Sequence, residues 1–234
     1  VKTILSIHGL EIMNKKLTFY IYTLGCKVNR YESEAMAAVL TDSGRFLLTE
    51  ENQKYSADIF ILNSCTVTQE SEKKAAKILR RYKRENNDGI SVLCGCLPQV
   101  SVERAAKLMP DVMFGNTVRA DVISYIDSFI KNKEPVCNVV QHYAEENFEV
   151  LAPKSYESLT RANLKIEDGC NRYCSYCIIP YARGNVRSMP LDEVERQSKI
   201  LVSEGHREIV LTGINLCMYG IDLNYLEGCD LTFF

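Results

Sequence analysis

Tryptophan is absent from the 234 residues, histidine occurs three times and proline six times. The histidines, His8, His142 and His206, are isolated from one another, so surface or core roles suit them better than catalysis. No apolar run approaches the roughly 18 residues of a membrane span. The only early apolar stretch, Ile4 to Leu10, is broken by His8 and Gly9 and lacks a small-residue cleavage site. Neither sign of charge dominates: the net charge of −2 gives no global basic footprint of the kind that marks nucleic-acid binding. Against these absences stand ten cysteines. Without a secretory context they read as metal ligands rather than disulfides. The expectation is a reduced, cytoplasmic chain. At 46% hydrophobic and 25% charged residues it has ordinary globular composition, with length for one large domain or two modest ones.

The cysteines are not spread evenly. Cys170-Asn-Arg-Tyr-Cys174-Ser-Tyr-Cys177 places three thiols in eight residues. A loop that short can turn all three sulfurs toward one point. Thiolates are the usual ligands of iron–sulfur clusters, and three of them leave one iron of a four-iron cluster open, as a catalytic zinc keeps an open position for substrate. A zinc knuckle or three unrelated buried cysteines are the bland alternatives. Leu164 to Glu167 alternates like a strand, and Asp168-Gly169 breaks it just before Cys170.

Upstream, apolar strands alternate with helices. Leu17–Leu24, Ala57–Leu62, Ile90–Cys94 and Val112–Gly115 read as strands; helices are expected near Tyr31–Asp42, Gln69–Glu85, Val102–Met109 and Arg119–Lys131. This alternation predicts an α/β fold with an open parallel sheet covered on both faces. Cys26, Cys65 and Cys96 each fall just after a strand, at the carboxyl edge where such sheets bind ligands. The alternative is that each is a small buried hydrophobe. Cys94 and Cys96 form a Cys-x-Cys pair at the end of the third strand. Cys137, Cys217 and Cys229 match no ligand motif and read as packing residues. Residues 132–158 read as a linker, and a second domain opens with a strand at Ala162–Glu167, a helix at Leu191–Glu204 and a strand at Glu208–Leu211 ending in Thr212-Gly213-Ile214-Asn215.

The run IEDGCNRYCSYCIIPYARGNVRSMP resembles the methylthiotransferases of the radical S-adenosylmethionine (SAM) superfamily, and TLGCKVNRYESE, NSCTVT and CGCLPQ resemble the three cysteine motifs of their N-terminal domain. The resemblance covers residues 16 to about 225. It implies an N-terminal α/β domain (16–131) carrying an auxiliary [4Fe–4S] cluster on Cys26, Cys65 and Cys96, the cysteine before Leu97 being the ligand and Cys94 a core residue. After the linker it implies the first part of a radical SAM partial (β/α) barrel (159–234), whose [4Fe–4S] cluster sits on Cys170, Cys174 and Cys177. Residues 1–15 are then an N-terminal extension, with Met13 resembling a start in its own right. Tyr176, Gly213 and Arg183 are implied as SAM contacts, with Arg172 and Arg187 further candidates for phosphate or the SAM carboxylate. The expected chain is about half of a family member and inactive alone.

For chemistry, the resemblance implies that one SAM methylates sulfur attached to the auxiliary cluster while another is cleaved at the radical cluster. The deoxyadenosyl radical then removes hydrogen from adenine C2, where the methylthio group is delivered. Lys27-Val28-Asn29 and Tyr31-Glu32-Ser33 resemble the class acting on N6-threonylcarbamoyladenosine beside the tRNA anticodon. Isopentenyladenosine in tRNA, a ribosomal-protein aspartate, or a truncated cluster-binding fragment are the alternatives. The implied partners are the tRNA anticodon loop and an electron donor such as flavodoxin or ferredoxin, with no membrane. A basic helix face (Lys73, Lys77, Arg80, Arg81, Arg84) suits RNA or simply water.

Overall fold

A computed structural model describes residues 16–142, 146–151 and 160–223. The extension at 1–15, Pro153 of the linker, and Cys229 lie outside the described residues. Six strands form one parallel sheet: β1 (Leu17–Thr23), β2 (Phe46–Leu48), β3 (Ile59–Ser64), β4 (Ile90–Gly95), β5 (Val112–Phe114) and β6 (Val136–Asn138). Their order is β2-β1-β3-β4-β5-β6, and every pairing is parallel.

The central strands β3 and β4 are largely apolar because both faces are covered. Phe19, Ile59, Ile61, Val92, Cys94, Val112 and Phe114 pack on one face under helices α1 (Lys27–Asp42) and α5 (Val122–Asn132). Phe60, Leu62, Leu93 and Met113 fill the other, under α2 (Gln69–Glu85), where Phe60 stacks on Tyr82 at 4.7 Å. Two short helices, α3 (Cys96–Val100) and α4 (Val102–Ala106), follow β4. Thr68 caps α2, its hydroxyl accepting from the Ser71 amide.

Several boundaries differ from the sequence reading. Helix α1 begins at Lys27 rather than Tyr31, with Cys26 itself at the N-cap position. Strand β2 was not foreseen, and β6 falls in the segment read as a linker, where it pairs with β5 as the sheet's edge.

The second unit is a parallel pair, β7 (Arg161–Lys165) with β10 (Glu208–Thr212), and a short antiparallel pair, β8 (Glu167–Asp168) with β9 (Arg187–Ser188). Helix α6 (Ile179–Arg183) follows the cysteine loop and α7 (Leu191–Ser203) precedes β10. Parallel βα units following the open sheet are the beginning of a partial barrel. Among the described residues no helix is long and apolar enough to cross a membrane.

The two units share a core. Tyr31 of α1 lies among Ala162, Leu164, Ile166, Met189 and Leu201. Its hydroxyl hydrogen-bonds the Leu151 carbonyl and the Gln197 side-chain oxygen, each at 3.1 Å.

Candidate cluster site

The order around β1 and β3 reverses direction, which in doubly wound sheets opens a crevice at the carboxyl ends of those two strands. Cys26 follows β1, Cys65 follows β3 and Cys96 follows β4. Local packing draws the three strand ends together. A Cβ added at Gly25 would lie 3.0 Å from the Cys65 Cβ and 3.3 Å from its Sγ, so only glycine lets the Cys26 turn close on Cys65. Asn29 ties the same turn: its Nδ2 donates to the Leu24 and Ser64 carbonyls at 3.0 and 3.1 Å. Cys26 is exposed, whereas Cys65 and Cys96 are buried. Burial pushes the Cys96 thiol up, and Arg183 and the Asn116 amide, 3.6 Å from the sulfur, act against that. Cys94 lies fully inside the core on the opposite side of Gly95. Cys94 still belongs to β4, whereas Cys96 is the first residue of α3, beyond the strand's carboxyl end.

Cys170, Cys174 and Cys177 lie on the loop between β8 and α6. Gly169 starts it with φ +84°, and a Cβ there would be driven into the Asn185 carbonyl. The Cys170 amide donates to the Gly184 carbonyl at 3.0 Å, and the Cys177 amide to the Cys174 carbonyl at 2.8 Å. Cys174 is exposed, and Cys170 and Cys177 are partly so. All nine cysteines among the described residues are free thiols. Among the described residues no three His, Cys, Asp or Glu side chains stand close enough to hold a single metal ion. A four-iron cluster is much broader than one ion, and each iron needs only one protein sulfur. Two triads of free thiols, one at three strand ends and one on a single loop, therefore fit that group by donor chemistry.

Around these loops lies a buried charge network that the sequence did not reveal. The Glu32 carboxylate on α1 receives Arg119 at 2.9 Å, Lys165 at 3.0 Å and Arg183 at 2.8 Å, all with side chains no more than 1% exposed. Asp168, two residues before Cys170, receives Lys165 at 3.0 Å and Arg183 at 2.9 Å. Burial alone would raise the Glu32 carboxyl, but Arg119, Arg183 and Lys165 outweigh it and hold it at about 2. The same contest leaves Asp168 well below the usual carboxylate range. Arg119 also pairs with Glu149 at 2.7 Å and donates to both oxygens of Asn116.

Of the residues read as SAM contacts, Tyr176 is 89% exposed on the cysteine loop. Gly213 packs against a carboxylate: a Cβ there would lie 2.5 Å from Glu167 Oε2. Arg183 is enclosed, 1% exposed, with its guanidinium engaged by Glu32, Asp168 and Asn29. Arg187 is buried as well, donating to Glu146 at 2.6 Å. Arg172 alone of the three arginines is exposed. Cys137 and Cys217, read as packing residues, are exposed instead.

Two cavities flank the cysteine loops. One of about 400 Å³ opens beside Cys26 and is lined by Tyr20, Tyr22, Lys27 and Arg30. Another of about 430 Å³ adjoins the second loop, lined by Gln99, Gln141, Tyr173, Tyr181 and Asn185. Glu167 was missed by the sequence reading. Its Oε2 accepts from the Asn215 amide at 2.7 Å, while its buried Oε1 has no hydrogen-bond partner among the described residues. Burial raises its carboxyl to about 7.

The described residues thus set three cysteines at strand ends of an open parallel sheet and three more on one loop of the unit packed against it. Residues 18–115 match the model of a family described as Uncharacterized protein family UPF0004, and residues 164–222 match the Radical SAM superfamily. The chain is 38% identical over 207 residues to the threonylcarbamoyladenosine tRNA methylthiotransferase MtaB of Bacillus subtilis, covering 88% of this chain and 45% of that protein. Identity is also 38% to the MtaB of Thermotoga maritima, over 88% of this chain and 46% of the relative. It is 35% to the tRNA-2-methylthio-N(6)-dimethylallyladenosine synthase of Carboxydothermus hydrogenoformans, over 88% and 47%. The chain belongs to the radical SAM methylthiotransferase family. It spans about half the length of the curated relatives it matches.

Proposed function

We propose that the protein is a tRNA methylthiotransferase that adds a methylthio group to C2 of N6-threonylcarbamoyladenosine next to the anticodon. The observation that carries this reading is the pair of cysteine triads on two units packed through one buried interface. Cys26, Cys65 and Cys96 would hold one [4Fe–4S] cluster, and Cys170, Cys174 and Cys177 a second. When bound, the clusters would supply the electron that cleaves SAM and the seat from which sulfur is transferred. The chain's own residues orient these loops: Asn29 fixes the Cys26 turn, Asn116 donates toward the Cys96 sulfur, and Gly169 sets the path into Cys170.

RNA as the acceptor is supported by chemistry beside both loops. Tyr173 and Tyr181 stand exposed with ring centroids 5.9 Å apart, next to the side-chain amides of Gln141 and Asn185. Exposed aromatics stack on unpaired bases and side-chain amides pair with base edges. Lys73, Lys77, Arg80, Arg81 and Arg84 are all exposed on α2, so that face can meet phosphate.

The choice of threonylcarbamoyladenosine rests on Lys27-Val28-Asn29 and Tyr31-Glu32-Ser33, and accords with the names of the Bacillus and Thermotoga relatives. Val28, Asn29, Tyr31, Glu32 and Ser33 are buried, leaving Lys27 and Arg30 as the exposed residues of this stretch. Any contribution of the buried five to acceptor choice is through the placement of the Cys26 turn. A low-potential donor such as flavodoxin or ferredoxin would supply electrons, in the cytoplasm. Mass analysis of tRNA nucleosides from a strain lacking the gene tests the reading. Loss of the methylthio group from threonylcarbamoyladenosine alone is expected; loss from isopentenyladenosine, or from neither, would overturn the assignment.

A further inference from the structure

We infer that Arg183 is a positioning residue: its guanidinium ties the auxiliary and radical cysteine loops together and sets their separation and orientation. The inference rests on the proposed two-cluster reading for its purpose, though not for its geometry.

Arg183 ends α6, six residues after Cys177. One arm, Nη2, donates to Asn29 Oδ1 at 2.7 Å and to Glu32 Oε2 at 3.1 Å. The other, Nη1, donates to Glu32 Oε1 at 2.8 Å and Asp168 Oδ1 at 2.9 Å. Asn29 is three residues from Cys26, and its Oδ1 also accepts from the Cys26 thiol at 3.5 Å. Through Nδ2 the same side chain holds the Ser64 carbonyl, next to Cys65. Asp168 caps the Gly169 amide at 2.9 Å, at the mouth of the Cys170 loop. One planar cation therefore touches the turn carrying Cys26, the residue before Cys65 at one remove, and the entry to Cys170. The next residue, Gly184, accepts the Cys170 amide, so both ends of the radical loop are referred to the same point.

The choice of arginine follows from this geometry. A two-armed planar donor can serve three acceptors in fixed relative directions, which the single ammonium of lysine cannot. The enclosure of Arg183 argues against its meeting a substrate directly. For a reaction in which a radical made at one loop must act on a base that receives sulfur at the other, loop separation is a rate-determining dimension; misplacement by about 1 Å can cost on the order of a hundredfold.

The test compares wild type with Arg183→Lys and with Tyr31→Phe. The latter removes an interface hydroxyl bonded to Leu151 and Gln197 without touching either cysteine loop. In cluster-free protein, hydrogen exchange followed by mass spectrometry should show residues 24–29 and 168–171 exchanging about tenfold faster in Arg183→Lys, together, and unchanged in Tyr31→Phe. Loosening of one loop alone, of neither, or equally in Tyr31→Phe would overturn the inference. After anaerobic reconstitution, Arg183→Lys should keep wild-type iron content while the magnetic interaction between the two reduced clusters, read by electron paramagnetic resonance, changes. An unchanged interaction at equal iron would also overturn it. Wild type that takes up only one cluster would refute the two-cluster reading instead, and the exchange result would still decide the role of Arg183. If Arg183→Lys fails to fold, Asp168→Asn loosens the same tie from the radical loop and must give the same joint exchange pattern.

Discussion

Replacing Glu32 with glutamine probes the charge network at its centre. The substitution keeps size and one acceptor oxygen but removes the carboxylate that Arg119, Lys165 and Arg183 share at 2.8–3.0 Å. Breaking a buried ion pair from one side costs about 3–5 kcal/mol, because the partner charge stays buried. Asp168 still faces Lys165 and Arg183, and Glu149 still faces Arg119, so the lower end, about 3 kcal/mol, applies. With a urea slope of about 2 kcal/mol/M, the midpoint should fall by roughly 1.5 M. Far-UV circular dichroism is the natural probe in a chain without tryptophan. The sign of the pH dependence follows from the carboxyl being held at about 2 against an ordinary 4.5. Its stabilisation is present above 4.5 and lost as pH falls toward 2, so Glu32→Gln should lack that part of the acid-induced loss. A midpoint shift below about 0.5 M at neutral pH, with the slope unchanged, would show that the network is not the interface's main polar tie.

Other outcomes follow from single positions. Cys96→Ala should abolish the auxiliary cluster while Cys94→Ala keeps it, as iron analysis of each will report; the reverse would put the motif out of register by two residues. Glu167 has its carboxyl raised to about 7 by burial, so its contribution is present below about 4.5 and lost as pH rises through 7, a change of about 3 kcal/mol. Thermal unfolding at pH 5 and pH 8 should accordingly diverge less in Glu167→Gln than in wild type, and equal divergence would contradict the assignment. Gly169→Ala forces a Cβ into the Asn185 carbonyl at φ +84° and should lower the melting temperature by about 5–10 °C. A change within 1–2 °C would mean the loop yields at little cost.

Much of the fold was legible because the four long apolar segments are buried on both sides of the sheet and show as continuous hydrophobic runs. The strand-end positions of Cys26, Cys65 and Cys96 could be read from those runs alone. Two edge strands could not: Phe46–Leu48 and Val136–Asn138 are as short as Val112–Phe114 but, unlike it, are largely exposed or half-buried, and the second follows Pro135. Helix α1 was placed four residues late because Cys26 occupies a cap position that serine, threonine or aspartate usually marks. Arg183 was read as a cofactor contact because arginine near a cysteine loop suggests an anion. Its partners Asn29 and Glu32 lie 154 and 151 residues away, and no local pattern announces such a pairing. Glu167 was passed over for the same reason, since only the fold brings the Asn215 amide against it.

The central claim is that two cysteine triads on two packed units each hold their own cluster. Iron analysis of anaerobically reconstituted wild type and of two triple variants, Cys26/Cys65/Cys96→Ala and Cys170/Cys174/Cys177→Ala, tests it most directly. The expected values are about eight irons for wild type and about four for each triple variant. Complete loss of iron from either triple variant, or an unchanged content in either, would contradict it.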